Sequence, residues 1–175
     1  MKTSRFQKIG LLGALAVVIS LAGISAAASA GQRSPSAIGG SIFRVITKSS
    51  AAYLSTTSMS YTVLQSVNFN VPNNVVGIAQ FQATDECTGP EGETGGWCLV
   101  QLTIDGQSMN PVTPDRVLDT EDGTPAIPER EAHELDGSFS VGPGLHTVQV
   151  LWRVGTPGMT FVVDDYHLTL LLARG

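Results

Sequence analysis

Positive charge is scarce in this chain. Its 175 residues include 10 Lys and Arg against 15 Asp and Glu, and three of the basic residues lie in the first 30 positions. Residues 31–175 therefore carry 7 basic and 15 acidic side chains, a net charge of −8. Because phosphate contacts are made mainly by Lys and Arg, we expect no nucleic-acid partner. The same charge argues against docking on an anionic membrane surface.

Cysteine is also scarce, since Cys87 and Cys98 are the only two. There is no Cys-x-x-Cys pair and no close spacing of Cys and His, which argues against a redox centre or a thiolate metal site. In an oxidising compartment the two thiols would form a disulfide. Closing a loop of this size stabilises a fold by about 3 kcal/mol in the chain-entropy model. We therefore predict a structural disulfide between Cys87 and Cys98.

A long apolar run occurs only near the start of the chain. Residues 1–30 combine a basic beginning, an apolar run from Ile9 to Ile24 and the small-residue ending Ala28-Ser29-Ala30. These three parts predict a secretory signal peptide cleaved after Ala30. An uncleaved membrane anchor is the alternative, but the run is shorter than the ~20 residues that a spanning helix needs. We expect a secreted protein with no stable membrane anchor.

Helical periodicity is missing from the rest of the chain. Residues 31–40 are small and polar and predict a flexible lead. In residues 41–175, apolar and polar side chains alternate with a period of two, most clearly in 75–83 and 98–104. Short strands separated by turns are typical of a sandwich. We therefore predict an all-β fold with a single antiparallel β-sandwich or jelly-roll domain.

The last third of the chain has the clearest pattern. Residues 138–141, the turn Gly142-Pro143-Gly144 and residues 145–154 predict a β-hairpin. Within it, Trp152 alternates with valines and is expected in the core. Residues 159–173 are apolar enough for one central strand, or for two strands broken near Asp164-Asp165.

Residues 106–137 interrupt the strand pattern. This segment holds eight acids against two arginines, together with four prolines, and predicts a long acidic loop with a short strand around residues 116–118. Asp119, Glu121 and Asp122 lie within one turn there and are candidate calcium ligands, because calcium takes carboxylate oxygens. A solvated acidic loop without an ion is the other interpretation. No other cofactor is expected.

Catalytic motifs are weak or missing. Gly106-Gln107-Ser108-Met109-Asn110 lacks the second glycine of a nucleophile elbow. His146 and His167 are interpreted as structural histidines, and His133-Glu134 has no second His four residues on, as a zinc-protease motif requires. A small secreted hydrolase using carboxylates of residues 115–136 remains the enzymatic alternative, since glycoside hydrolysis needs two carboxylates in a cleft.

Trp97 is the candidate ligand-binding residue. It follows Gly95-Gly96 and either packs on the disulfide or forms a platform for a sugar ring. The function that best fits these features is a secreted, non-catalytic β-sandwich that binds or assembles at the bacterial cell surface or in the medium. Its partner would be a glycan, the cell wall or a protein. A third hypothesis is self-assembly through the apolar residues 168–172, and the sequence leaves the oligomeric state open.

Overall fold

The computed structural model describes residues 41–90, 95–112, 116–120 and 130–175. The predicted signal peptide and flexible lead, and the candidate calcium ligands Glu121 and Asp122, lie outside these ranges. Those predictions therefore remain predictions. The described residues contain no apolar helix of membrane-spanning length.

Two antiparallel sheets make up the described fold, which confirms the predicted all-β sandwich. The first sheet has the order β1-β10-β4-β8, with β2 paired to β10; the second has the order β3-β9-β5-β6, with β7 paired to β5. The strands are β1 (Ile42–Ser50), β2 (Leu54–Thr56), β3 (Thr62–Val71), β4 (Val75–Thr88), β5 (Trp97–Ile104), β6 (Gln107–Ser108), β7 (Val117–Thr120), β8 (Glu131–Val141), β9 (Gly144–Val154) and β10 (Thr160–Arg174).

Alternation along the strands builds the core between the two sheets. Every second side chain of β4 and β9 points inward, and the buried set includes Phe81, Phe139, Phe161 and Trp152. Trp152 stacks at a tilt on Phe161 with ring centroids 5.5 Å apart. Burying each such side chain contributes roughly 1.5 to 3 kcal/mol to the free energy of unfolding. The packing of the two sheets against each other is therefore the main source of stability.

The predicted hairpin of residues 138–154 is wrong. Strands β8 and β9 are adjacent in sequence, but β8 pairs with β4 in the first sheet and β9 pairs with β3 and β5 in the second. The turn at Gly142-Pro143 is therefore a corner at which the chain changes sheets. Alternation shows that Phe139 and Val148 are buried, and both are fully so. Alternation does not show which strand each one pairs with.

The predicted acidic loop of residues 106–137 is too long. The short strand predicted around 116–118 is observed as β7, but the segment also contains β6, and β8 begins at Glu131. In β8, Leu135 and Phe139 face the core, whereas Glu134 and Asp136 alternate outward. Because β8 lies at the edge of its sheet, these charges discourage pairing with another chain. The acidic side chains of β8 made this segment resemble a loop in the sequence.

Strand β10 is one continuous strand and lies centrally between β1 and β4. A bulge interrupts the pairing with β4 between Asp164 and His167, and Asp165 has a φ of 43°. The extra residue shifts the alternation, so Val163 before the bulge and Tyr166 after it both face the core. Asp164-Asp165 therefore marks a bulge within one strand, which is the first of the two predicted arrangements.

Candidate functional site

A disulfide joins Cys87 of β4 to Cys98 of β5, as the sequence predicts. The two Cα atoms are 5.8 Å apart, and both side chains are buried. Since β4 and β5 belong to different sheets, the disulfide links the two layers of the sandwich. Three polar side chains meet at the same end of the domain.

Three polar side chains occupy core-facing positions beside this disulfide. On β4 the inward series continues from Ala83 to Asp85 and then to Cys87. His133 of β8 pairs with Ala83, and Asp119 of β7 pairs with Cys98 in the opposite sheet. Paired residues share a face of a sheet, so Asp85, His133 and Asp119 all point into the space between the layers.

These side chains form a compact group, called here the Asp-His cluster: Asp85, Asp119 and His133. Each contributes one donor atom, and the three atoms lie within 4.8 Å of one another. Nδ1 of His133 lies 3.0 Å from Oδ1 of Asp85. On the other side of the ring, Nε2 of His133 lies 3.3 Å from Oε2 of Glu131. One imidazole is therefore held between two carboxylates.

Burial makes ionisation costly in the Asp-His cluster. The side chain of Asp85 has no exposed surface, and burial raises its pKa from 3.8 to about 6 although the bond to His133 opposes that shift. Burial likewise raises the pKa of Asp119, against hydrogen bonds from the backbone of Thr120 and Cys87. Oδ2 of Asp85 is buried and has no hydrogen-bond partner among the described residues.

The sequence points to only part of this cluster. Its pattern groups Asp119 with Glu121 and Asp122 as candidate calcium ligands, and within the described residues the structure brings Asp119 to Asp85 and His133 instead. Sequence reasoning finds no metal partner for His133, and it misses Asp85. Asp85 could have been found from the alternation along β4. If that alternation is extended two residues past Ala83, it places an acid at a core position.

A second surface of interest is the outward side of β3, β9 and β5. Apart from Arg153, its polar side chains are amides and hydroxyls, and these three strands contain no Asp or Glu. We call this surface the amide face; its polar members include Asn68, Gln101, Thr147 and Gln149, whereas Thr103 of β5 is buried. Thr147 donates its hydroxyl to Oδ1 of Asn68 at 2.9 Å, and Gln101 donates Nε2 to Oγ of Ser108 at 2.5 Å. The amide face thus presents hydrogen-bonding groups with little charge.

Trp97 stands at one end of the amide face. Its neighbour Cys98 points into the core, so alternation turns Trp97 outward, beside Leu99 and Gly155. Trp97 is 51% exposed. This orientation does not fit the alternative in which Trp97 packs against the disulfide. The other tryptophan, Trp152, is buried as expected.

The opposite outer surface of the sandwich has a different character. Glu86 of β4 and Glu134 and Asp136 of β8 point outward there. Arg130 contacts this side through Asp164 at 3.2 Å and Glu86 at 3.9 Å. Of the two outer surfaces, this one therefore carries the carboxylates, and strands β3, β5 and β9 of the face that carries Trp97 contain none.

Of the carboxylates in residues 115–136, four lie in the described part of the chain, and they do not form one group. Glu134 and Asp136 face outward from an edge strand, whereas Asp119 and Glu131 converge on His133. His146 is held by Oδ2 of Asp105 at 2.7 Å and the carbonyl oxygen of Gly142 at 2.9 Å, which fits its predicted structural role. Ser108 lies in the short strand β6 and accepts a hydrogen bond from Gln101, not from a histidine.

Comparison with known proteins assigns no family. No family model and no curated protein matches the chain. The VP2 protein of infectious bursal disease virus (D431N mutant, derived T=1 particles) overlaps with a TM-score of 0.36 at 11% identity, covering 73% of this chain and 31% of that one. The Gx strain of the same virus gives 0.34 at 10% identity, covering 75% and 37%.

A third solved structure is the CBM22-1 xylan-binding domain of Xyn10C from Paenibacillus barcinonensis. It overlaps with a TM-score of 0.26 at 11% identity, covering 79% of this chain and 99% of that domain. The chain spans about a third of the length of the two viral chains. At these levels of similarity the overlaps carry no argument about ligand or activity, so the function is argued from the site alone.

Proposed function

We propose that this chain is a secreted, non-catalytic β-sandwich protein that binds a neutral glycan on its amide face, with Trp97 as the stacking platform. The observation that carries the proposal is the exposed indole of Trp97 at one end of a surface of amides and hydroxyls. An aromatic face supplies apolar contact to the C–H side of a sugar ring. Amide and hydroxyl groups both donate and accept hydrogen bonds, as sugar hydroxyls do.

The dimensions of the amide face suit an extended chain. Trp97 and Gln101 lie four residues apart on β5, about 13 Å at the rise of a β-strand. Gln149 and Thr147 of β9 lie opposite Ser66 and Asn68 of β3, so the polar groups continue across neighbouring strands. A glycan longer than one sugar unit could therefore contact the indole and the amides together.

The charge on the amide face supports binding without hydrolysis. β3, β5 and β9 contain no carboxylate, and glycoside hydrolysis needs a pair of them beside the bound sugar. Arg153 is the charged residue of these strands, and its guanidinium lies over the ring of Tyr61, 4.9 Å from the ring centroid. Secretion is supported by the signal-like residues 1–30 and by the disulfide, which persists in oxidising compartments.

Self-assembly through residues 168–172 receives less support. Leu168, Leu170 and Leu172 are fully buried in the core of their own domain. Strand β10 is paired on both edges, with β1 on one side and β4 on the other. Within the described residues this strand therefore has no free edge at 168–172, and its leucines at 168, 170 and 172 are not available to a second copy.

A glycan and cell-wall array tests the proposal. We expect the purified protein to bind at least one neutral polysaccharide and Trp97→Ala to weaken that binding roughly 10- to 30-fold or more, as for an aromatic hot spot. Tyr53→Ala is the matched control, because it removes an aromatic side chain that is 57% exposed but lies outside the amide face.

Three results would contradict the proposal. A silent array removes glycan binding, and a Trp97→Ala variant that binds like the wild type removes the platform. Release of reducing sugar from the bound polysaccharide would instead favour the hydrolase. Melting temperatures of both variants close to the wild type are needed to show that the fold is intact.

A further inference from the structure

The inward-facing carboxylates beside the disulfide lack a matching positive charge. Asp85, Asp119 and Glu131 surround one imidazole, and no Lys or Arg of the described residues forms a salt bridge with any of them. Arg130, which is next to Glu131 in sequence, contacts Glu86 and Asp164 on the outer side. The cluster therefore concentrates negative charge around Asp85, whose side chain has no exposed surface.

The carboxylate of Asp85 is also incompletely hydrogen-bonded. Oδ1 of Asp85 contacts His133, so the carboxyl group is directed into the cluster, yet Oδ2 has no partner among the described residues. A buried polar atom without a partner is unfavourable, and native structures satisfy nearly all such atoms. A bound cation would satisfy Oδ2 and offset the repulsion among the carboxylates.

The chemistry of the donor atoms identifies the kind of cation. Calcium and magnesium take oxygen ligands, whereas an imidazole nitrogen combined with carboxylate oxygens suits zinc and similar divalent ions. Around tetrahedral zinc the ligand atoms are separated by roughly 3.3 Å. Nδ1 of His133 and Oδ1 of Asp85 already lie 3.0 Å apart, and the donor atoms of all three residues lie within 4.8 Å.

We propose that Asp85, Asp119 and His133 bind one divalent metal ion of the zinc type between the two sheets. Nδ1 of His133 is the ligating nitrogen, because it faces Asp85, while Nε2 lies 3.3 Å from Oε2 of Glu131, where it is placed to donate a proton. Hydrogen bonding of the second ring nitrogen to a carboxylate is how metal-bound histidines are generally oriented. Glu131 is thus a positioning residue. Three protein ligands leave a fourth position for water.

The metal would act as a second cross-link between the sheets. Asp85 and His133 come from β4 and β8 of the first sheet, and Asp119 comes from β7 of the second. The disulfide from Cys87 to Cys98 joins the same two layers alongside. This site lies in the core and not on the amide face, so the inference goes beyond the glycan-binding proposal and does not depend on it.

The test is calorimetric titration of the chelator-treated, tag-free protein with zinc chloride, together with its melting temperature. We expect one equivalent to bind and to raise the melting temperature by mass action. Asp85→Asn and His133→Gln should abolish both effects, and Glu131→Gln should weaken affinity roughly 10- to 100-fold, as loss of the partner of a metal-bound histidine does. The side chain of Glu131 is 59% exposed, so we expect Glu131→Gln to fold. This variant therefore tests the proposal even if Asp85→Asn fails to fold.

Two matched variants separate this site from surface binding. Glu134→Gln removes an outward acid of the same strand, and His167→Gln removes a histidine outside the cluster; both should bind zinc like the wild type. The proposal is overturned if zinc up to about 1 mM leaves the melting temperature unchanged, or if His133→Gln and His167→Gln behave alike. It is also overturned if calcium stabilises the protein and zinc does not, which would favour an oxygen-only site.

Discussion

Nδ1 of His133 and Oδ1 of Asp85 lie 3.0 Å apart in the core, although 48 positions separate the two residues in sequence. The pairing of β4 with β8 makes the contact, since His133 lies opposite Ala83 and Glu131 lies opposite Asp85. Two titratable side chains in contact at core-facing positions are unusual in the interior of a sandwich. It places a titratable group inside the hydrophobic contact between the sheets.

Because Asp85 is buried, we expect the free energy of unfolding of the wild type, relative to that of Asp85→Asn, to depend on pH. A chelator is present throughout, so that no bound metal contributes. The pKa of Asp85 is about 6 in the folded protein against 3.8 as its ordinary value, so the folded state holds the proton more tightly. The associated stability is complete below about pH 4 and is lost as pH rises through 6. Relative to Asp85→Asn, the wild type should lose on the order of 2 to 3 kcal/mol between pH 4 and pH 7.

Urea unfolding of both proteins at each pH measures that difference. The contributions of the other acids to the pH dependence cancel, because both proteins share those acids. The asparagine side chain of the variant keeps an oxygen that can accept a hydrogen bond from His133, so the contact itself is preserved. A constant difference across the pH range would show that Asp85 titrates near its ordinary pKa.

Reduction of the disulfide should destabilise the domain without changing its fold. Cys87 and Cys98 are 11 positions apart, and releasing a loop of that size costs about 3 kcal/mol in the chain-entropy model. The measurement is urea unfolding with and without a reductant. The double variant Cys87→Ala with Cys98→Ala is the control, since its stability should not respond to the reductant. An equal response of both proteins would mean that the reductant acts elsewhere.

Gly77 allows Phe139 to lie directly over strand β4. A Cβ atom at position 77 would overlap with the end of the Phe139 ring, and that ring is fully buried. Gly77→Ala should therefore cost roughly 1 to 3 kcal/mol by overpacking. Gly142→Ala is the matched control, because its Cβ would lie 3.9 Å from the nearest atom, Oδ1 of Asn74, and its cost should stay within about 0.5 kcal/mol. Similar urea midpoints for the two variants would contradict this packing.

Local pattern and long-range pairing explain which parts of the structure were predictable. Alternation predicts β4, β5 and β9, because a period of two is a property of neighbouring residues. The partner of a strand is decided by distant residues, so the corner at Gly142-Pro143 looked like a hairpin turn. The Asp-His cluster depends on three separate strands, and no local spacing relates Asp85 to Asp119 or His133.

Trp97 shows what alternation can determine about a surface. Because Cys98 must face inward to form the disulfide, its neighbour must face outward, and this follows from the sequence once the strand is accepted. The amide face itself was not predictable, since it requires β3, β9 and β5 to be neighbours in that order. Its low charge becomes visible only after the acidic residues of β8 are placed on the other sheet.

The most direct test of glycan binding on the amide face is a nitrogen-15 NMR titration with oligosaccharides of the polysaccharide bound on the array. We expect the indole N–H of Trp97 and the side-chain amides of Gln101 and Gln149 to shift, while the indole of buried Trp152 and the amide of Gln80 on the opposite sheet do not. Shifts confined to the opposite sheet, or no shift of the Trp97 indole at saturation, would contradict glycan binding on this face.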